Sequence, residues 1–300
     1  MMWDLLIVGA GPAGITAAIY AARKRLHTVV VSRDIGGQAA ASWDVENYTG
    51  YQMITGPELA AKFKEHLEKF GLPVHEGETV MRVATDGSGF LVQTERGEYR
   101  ARTVIVASGR TPRRLGVPGE EEFRNRGVTW CATCDGPLFA GQRVAVVGGG
   151  NAGFDAALQL LKIASSVTVI DVAERLRADP VMVEKARAGG AELLFPATVK
   201  RIIGDQFVTG IEVVTADGLR TLPVEGVFVE IGSTAVSDFV EKAARNAAGE
   251  LLVNPRCETD VPGLFAAGDV TDVFSKQIVV ACGEGAKAAI AAAEYVGRLS

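Results

Sequence analysis

An α/β chain of two layered domains, the second inserted in the first, is predicted by three features of this 300-residue sequence. Near the start, the apolar run Asp4-Leu5-Leu6-Ile7-Val8 enters Gly9-Ala10-Gly11-Pro12-Ala13-Gly14 and then a helical stretch. Near the middle the same plan returns, with Gln142 to Val147 entering Gly148-Gly149-Gly150-Asn151-Ala152-Gly153. Late in the chain, Val261 to Asp269 reads as another buried strand, followed by an alanine-rich helix from Ile278 to Arg298. Short continuous apolar runs mark strands covered on both faces of a parallel sheet. Self-similarity at a distance marks a repeated unit.

Each element follows from local pattern. After the first glycine turn, Ile15 to Arg25 reads as helix and Thr28 to Ser32 as a second buried strand. Strand, glycine turn, helix and strand in this order form a dinucleotide-binding unit. Gly9 permits the tight turn, Gly11 lets a pyrophosphate approach the backbone, and Gly14 lets helix and strand pack closely; Pro12 and Ala13 complete the turn. Ser32, Arg33 and Asp34 end the second strand, where an acidic side chain would meet a ribose hydroxyl. A loop-rich stretch holds Gly36-Gly37-Gln38 and Glu46-Asn47-Tyr48-Thr49-Gly50. Pro57 to Phe70 is amphipathic, starts after Thr55-Gly56 and stops at Gly71. Val74 to Arg102 alternates between glycine turns, as an antiparallel meander does, and Thr103 to Gly109 returns to buried-strand style.

Arg110 to Gly119 carries Pro and Arg without periodicity and marks a boundary. In the second unit the helix runs from Phe154 to about Ala164, the next strand ends at Asp171, and Val227 to Ile231 with Gly232 is the last strand. The expected domains are 1–112, 113–246 and 247–300, with the first and last forming one body. The architecture is two Rossmann-like domains of the three-layer ββα type. Two dinucleotide units imply two dinucleotides, and a donor-to-flavin relay is the simplest reason to have both. Between the units stands Trp130-Cys131-Ala132-Thr133-Cys134-Asp135-Gly136. A Cys-x-x-Cys pair can close as a disulfide or open as a dithiol with one depressed thiol pKa.

The chain is 48% hydrophobic and 22% charged with a net charge of −5 and no basic run, so nothing favours nucleic acid or an anionic membrane surface. It has no run of 18 apolar residues, and the opening lacks a basic leader, so no membrane span and no export signal are expected. Four cysteines, two of them close in sequence in a reactive motif, suit a reducing, cytoplasmic setting. Cys257 and Cys282 read as core thiols. With His27, His66 and His75 all far from the Cys pair, no metal site is expected.

Taken together, Gly9–Gly14, Gly36-Gly37-Gln38, Glu46-Asn47-Tyr48, Cys131-Ala132-Thr133-Cys134-Asp135-Gly136-Pro137, Gly148–Gly153, Leu264-Phe265-Ala266-Ala267-Gly268-Asp269 and Lys276-Gln277-Ile278 resemble the low-molecular-weight thioredoxin reductases. Within them the chain is most similar to the flavoprotein subunits of alkyl hydroperoxide reductases without their N-terminal domains. The resemblance implies FAD in the first domain and a nicotinamide dinucleotide in the second. It implies that Asp269, beside Gly268, bonds the ribitol chain, and that Gly37, Gln38 and Asn47 sit near the isoalloxazine. Lys276, Gln277 and Ile278 would place a helix N-terminus beside the flavin pyrimidine, with Ala107-Ser108-Gly109 completing that site. Ser108 replaces the family's Thr and keeps the hydroxyl; Thr49 replaces a Pro.

By the same resemblance, Cys134 takes electrons from the flavin, Cys131 attacks the partner's disulfide, and Asp135 is the acid or base for thiol exchange. The implied partner is a thioredoxin-like protein, with a separate peroxidase or glutaredoxin-like partner, or a different electron donor, as alternatives. A homodimer through the FAD domain is implied, as is a domain rotation about Thr111-Pro112 and Ala247–Gly249. In the second domain Gly148, Gly150, Asn151, Ala152, Gly153, Ile231 and Gly232 would line the nicotinamide dinucleotide site. NADPH-using members carry a His-Arg-Arg…Arg cluster after the second strand of that domain. Here the stretch is Asp171-Val172-Ala173-Glu174-Arg175-Leu176-Arg177, and only Arg177 remains in register. A carboxylate at Asp171 would accept a ribose 2′-hydroxyl and repel a 2′-phosphate, a difference of about 1–3 kcal/mol. NADH is therefore expected over NADPH.

Overall fold

The computed structural model describes every residue except Met1, Ser42, Trp43, Glu46, Ser88, Asn125, Cys131 and Ser300, and leaves the side chains of Ala41, Asp44, Thr133 and Cys134 undescribed. The chain divides into two compact units, Met1–Thr111 with Thr234–Ser300, and Pro112–Ser233.

In chain order the first unit begins with β1 (Met2–Ala10), α1 (Pro12–Arg23), β2 (Thr28–Ile35), the short strands β3 (Asp44–Val45) and β4 (Ile54–Thr55), and α2 (Gly56–Glu68). It continues through β5 (Val74–Glu76), β6 (Val80–Asp86), β7 (Gly89–Thr94), β8 (Glu98–Val106) and β9 (Arg110–Pro112), inside which the chain leaves the unit. The second unit holds β10 (Val128–Thr129), α3 (Ala132–Asp135), β11 (Arg143–Val147), α4 (Asn151–Leu160), β12 (Ser166–Ile170), α5 (Pro180–Ala188), β13 (Glu192–Leu194), β14 (Thr198–Gly204), β15 (Val208–Thr215), β16 (Gly218–Leu222) and β17 (Gly226–Val229). The chain returns inside β18 (Ser233–Ala235) and ends with β19 (Leu264–Ala266) and α6 (Ile278–Leu299).

The sheet of the first unit runs β5-β2-β1-β8-β7-β6, with β19 also on β8. β8 serves two purposes along its length. Its first half, up to Ala101, pairs antiparallel with β7, and Val104 to Val106 pair parallel with β19. Leu5 to Ile7 are wholly buried because α1 and α6 cover one face while the meander and residues 235–251 cover the other.

The second unit is layered as expected. Its five-stranded sheet, β10-β17-β11-β12-β13, is parallel in every recorded pairing. One apolar core lies between it and the antiparallel sheet β14-β15-β16, and another between it and α4 and α5.

Three boundaries differ from expectation. The return to the first unit falls between Ser233 and Thr234, not at 246/247. The reason is pairing: Val236 N–H donates to Gly109 O at 3.0 Å, Val83 N–H donates to Phe239 O at 2.8 Å, and Val240 is buried in the first unit's core. The second crossing therefore lies well before Ala247–Gly249. Both glycine-turn helices also start earlier than Ile15 and Phe154, at Pro12 and Asn151, so the third glycine of each turn is helical.

Candidate functional site

In the first unit Gly9 adopts φ +100°, and a Cβ there would stand 2.4 Å from Ala107 O. A Cβ on Gly14, in the first turn of α1, would stand 1.9 Å from Gly9 O, so strand and helix meet backbone to backbone. Gly11 caps α1 in an extended conformation with no side-chain hydrogen bond, and Pro12 has no N–H to satisfy. The contrast is α2, where Thr55 and Glu58 close a capping box: Thr55 Oγ1 accepts from Glu58 N at 3.4 Å, and Glu58 Oε2 accepts from Thr55 N at 3.1 Å. A helix N-terminus without a side-chain cap, approached by glycine backbone, is built to receive a phosphate. Ser32 is buried and its Oγ accepts from Ala10 N at 2.9 Å while donating to Asp34 O at 2.6 Å. Asp34 is exposed, and its backbone carbonyl is what meets Ser32.

Around this turn the other predicted residues gather. A Cβ on Gly285 would lie 2.0 Å from Ala13 O, so α6 rests directly on α1. Gly268, at φ +76°, packs against Ala13, and Asp269 follows it in the chain. Burial pushes the Asp269 carboxyl up, and the cations Lys276 and Arg110 pull it part of the way back. No hydrogen bond to that carboxylate exists among the described residues, which suits an acceptor waiting for sugar hydroxyls. Glu250 binds Arg110 at 2.7 Å and Lys276 at 3.1 Å. Burial alone would raise Glu250, but hydrogen bonds from Asn246, Lys276 and Arg110 hold it below the ordinary carboxylate value. Asn47 Nδ2 donates to Gln277 Oε1 at 3.0 Å, and Gln38 Nε2 donates to Arg110 O at 3.0 Å. Ser108 Oγ donates to Val236 O at 2.6 Å, Gly109 turns at φ +67°, and Gly37 packs its Cα side against Gly11. Ile278 opens α6 and packs with Tyr48 on Val45, Ile54 and Leu59. The Tyr48 hydroxyl is pushed up to about 12 by burial and by Cys282, whose Sγ lies 3.9 Å away. Arg110 and Glu250 were not singled out by sequence reasoning; they are 140 positions apart, and no local pattern links them.

The second unit repeats the turn. Gly148 adopts φ +136°, with a Cβ only 2.1 Å from Glu230 O, and a Cβ on Gly153 would stand 1.9 Å from Gly148 O. Gly150 caps α4 without a side-chain hydrogen bond. Asp171 is buried; its Oδ2 accepts from Gly149 N at 2.5 Å and its Oδ1 from Ala173 N at 2.7 Å. Asn151 turns its Oδ1 to Asp179 N at 2.8 Å, so it anchors the approach to α5. Arg175 and Arg177 are exposed, and Arg177 N–H donates to Gly149 O at 3.1 Å. Ala152 is exposed, Ile231 is partly buried, and Gly232, at φ +92°, accepts from Arg113 N at 2.8 Å. Glu230, which the sequence pattern does not mark, is pushed up to about 8 by burial and by the nearby Asp155.

Of the Cys pair, Cys131 and the side chain of Cys134 lie outside the described residues. The backbone of Cys134 belongs to α3, and Thr129 Oγ1 donates to Asp135 Oδ2. β10 pairs parallel with β17, so the chain leading to the pair leaves the sheet at the carboxyl ends of its strands, where the glycine turn also lies. Trp130 is partly buried; the guanidinium groups of Arg114 and Arg124 lie 5.2 and 5.8 Å from its ring centre. Its indole N–H is buried without a hydrogen-bond partner among the described residues. Cys257 is wholly buried and its thiol is pushed up to about 11. Among the described residues no cluster of His, Cys, Asp and Glu could hold a metal, and no helix is long and apolar enough to cross a membrane.

The family model described as pyridine nucleotide-disulphide oxidoreductase matches residues 3–285. An alkyl hydroperoxide reductase component from Escherichia coli (strain K12) is 40% identical over 306 residues, covering 99% of this chain and 58% of the relative. An NADH dehydrogenase of Bacillus subtilis (strain 168) is 41% identical over 301 residues, covering 99% of this chain and 59% of the relative. This chain thus spans under two thirds of the length of either. Thioredoxin reductase of T. acidophilum superposes with a TM-score of 0.90 at 35% identity, covering 100% of this chain and 99% of that one.

Proposed function

Because the chain belongs to the pyridine nucleotide-disulphide oxidoreductase family, we propose that it is an FAD-dependent disulfide reductase. In this reading it carries electrons from NADH to the Cys131/Cys134 pair and on to a thioredoxin-like protein. The observation that carries it is the pair of matched glycine turns, each opening a helix N-terminus without a side-chain cap, with β10, which leads toward the Cys pair, leaving the second sheet at the carboxyl ends of its strands.

The residues of the first unit suit FAD: the turn Gly9, Gly11, Pro12, Ala13 and Gly14 would hold the pyrophosphate, and Asp269 would take the ribitol hydroxyls. Gly37, Gln38, Asn47, Lys276, Gln277 and Ile278, with Ala107, Ser108 and Gly109, would hold the isoalloxazine. When bound, FAD supplies the two-electron chemistry that connects a pyridine nucleotide with a disulfide. The chain's own groups do the rest. The N-terminal end of α6 favours negative charge placed beside Ile278. Cys131, as thiolate, attacks a sulfur of the partner's disulfide; Cys134 then resolves the mixed disulfide, leaving the partner as a dithiol and the pair oxidised. Asp135, oriented by Thr129, exchanges the proton with the thiols.

NADH is the preferred donor. Asp171 spends one lone pair of each oxygen on a backbone N–H and keeps acceptor capacity for a ribose hydroxyl, while its charge opposes a 2′-phosphate. The name of one relative, an NADH dehydrogenase, supports this donor, while another is named as a hydroperoxide reductase component. The hydroperoxide reductase relative also favours a second reading of the acceptor, a separate peroxidase or glutaredoxin-like partner. A homodimer through the first unit belongs to the same reading.

The test is an anaerobic titration of the flavin-loaded protein with NADH and, separately, NADPH. Bleaching of flavin absorbance at lower NADH concentration is expected; preference for NADPH would refute the role given to Asp171. Cys131→Ser and Cys134→Ser should each still bleach with NADH yet lose reduction of thioredoxin. Retention of that reduction by both variants would sink the dithiol route.

A further inference from the structure

We propose that Glu230 is a proton-controlled gate on the dinucleotide crevice of the second unit: neutral, it lets the dinucleotide seat on the Gly148–Gly153 turn, and ionised, it drives the dinucleotide off. This deepens the function proposed above and rests on it.

The placement comes from register. β17 lies parallel to β11, with Val146 opposite Phe228 and Val147 opposite Val229, so Glu230 emerges level with Gly148. Glu230 N–H donates to Val147 O at 2.7 Å, and its own carbonyl fills the space a Cβ on Gly148 would need. In the order β10-β17-β11-β12-β13 the chain moves outward from β11 to β13 and returns to β17 on the other side. The reversal between β11 and β17 is where open parallel sheets bind dinucleotides, beyond the carboxyl ends of the strands. Glu230 therefore stands at the floor of that crevice.

Among the described residues the charge that acts on it is that of Asp155 on α4, whose Oδ2 also accepts from Gln159 Nε2 at 2.9 Å. Asp171, across the glycine turn, is held by the amides of Gly149 and Ala173, and Asp135, beyond β10, is held by Thr129. β11 carries its charged residue, Arg143, at the opposite end of the strand, bound to Glu225. Arg113 and Arg177 are exposed. No ion pair joins a cation to Glu230 among the described residues, so an ionised Glu230 beside a pyrophosphate would add like charge in a partly dehydrated crevice. Glu230 is half-buried, and burial together with Asp155 pushes its carboxyl up to about 8. The neutral acid presents one O–H donor and one carbonyl acceptor, the pair of functions an amide or sugar hydroxyl can meet.

The test measures the dissociation constant of NADH on the flavin-loaded full chain from pH 6.5 to 9.5, for the natural protein, Glu230→Gln and Asp155→Asn. The natural protein should bind about tenfold more weakly per pH unit above the Glu230 midpoint. E230Q should stay flat at the natural protein's low-pH value. D155N, by removing the like charge, should move the onset of weakening to lower pH, a shift that a merely structural role for Glu230 would not produce. The same pH slope in E230Q as in the natural protein, or an unmoved onset in D155N, overturns the gate alone. Absence of NADH binding at every pH in all three proteins overturns the gate together with the function on which it rests.

Discussion

In the first unit the amide of Ala10 is held by Ser32 Oγ; in the second the corresponding amide of Gly149 is held by Asp171 Oδ2, and both partners stand 22 residues downstream. The glycine geometry on either side is matched closely, since Gly14 against Gly9 O and Gly153 against Gly148 O would both give 1.9 Å. One structural task is thus done once by a neutral hydroxyl and once by a carboxylate. The surroundings follow the same division. In the first unit Asp269 and Glu250 share the cations Arg110 and Lys276, whereas in the second the like charge of Asp155 acts on Glu230. A site that pairs its acids with cations suits a polyanion that stays; one that keeps acids near the turn suits a polyanion that arrives and leaves.

The largest test of this parallel is steric. Gly14→Ala and Gly153→Ala each force a Cβ into a carbonyl oxygen, at a cost of about 4 kcal/mol or more. G14A should lose bound flavin, read as loss of the yellow absorbance. G153A should keep the flavin and lose NADH binding. Equal loss of flavin in both variants would break the assignment of one turn to each cofactor.

A smaller effect separates the two residues at the equivalent position. Asp171→Ala strips acceptors from two backbone amides and should cost about 2–4 kcal/mol, against about 1–2 kcal/mol for Ser32→Ala. Urea unfolding of the purified variants checks the order, and a larger loss in S32A would contradict it. The smallest effect is on pH dependence. Glu230 has a folded-state pKa of about 8 against an ordinary 4.5, so its neutral form favours the fold. That contribution is fully present below pH 4.5 and is lost as pH rises through 8. The difference in unfolding midpoint between the natural protein and E230Q should move in favour of E230Q with rising pH; a difference independent of pH would contradict it.

Much of the fold was legible because its signals are local. Both glycine turns, the buried runs at Leu5–Val8 and Val144–Val147, and the final helix from Ile278 could be read within short windows. The helix starts were read late because the third glycine looked like turn, when it is the residue that lets helix and strand touch. The return crossing was read late for a different reason. Residues 234–249 carry no strong period, and they join the first unit through pairing with Gly109 and Val83, more than 120 positions earlier.

The candidate sites divide in the same way. Gly9 to Gly14, Gly148 to Gly153, Cys131/Cys134 and Asp269 were visible as motifs, since each depends on residue types at fixed short spacing. The Arg110–Glu250–Lys276 group was not, because an ion pair leaves no trace in sequence when its members are far apart. Glu230 reads as one polar residue at the end of a strand. Its significance comes from parallel register beside Gly148, from burial, and from Asp155 on a separate helix. The sequence by itself determined which backbone can turn tightly enough to meet a phosphate, because that depends on the absence of a side chain at particular positions. Only the tertiary structure decided which charges stand beside those turns, because electrostatic energy depends on distance through space and on exclusion of water, and neither is written in the spacing of residues along the chain.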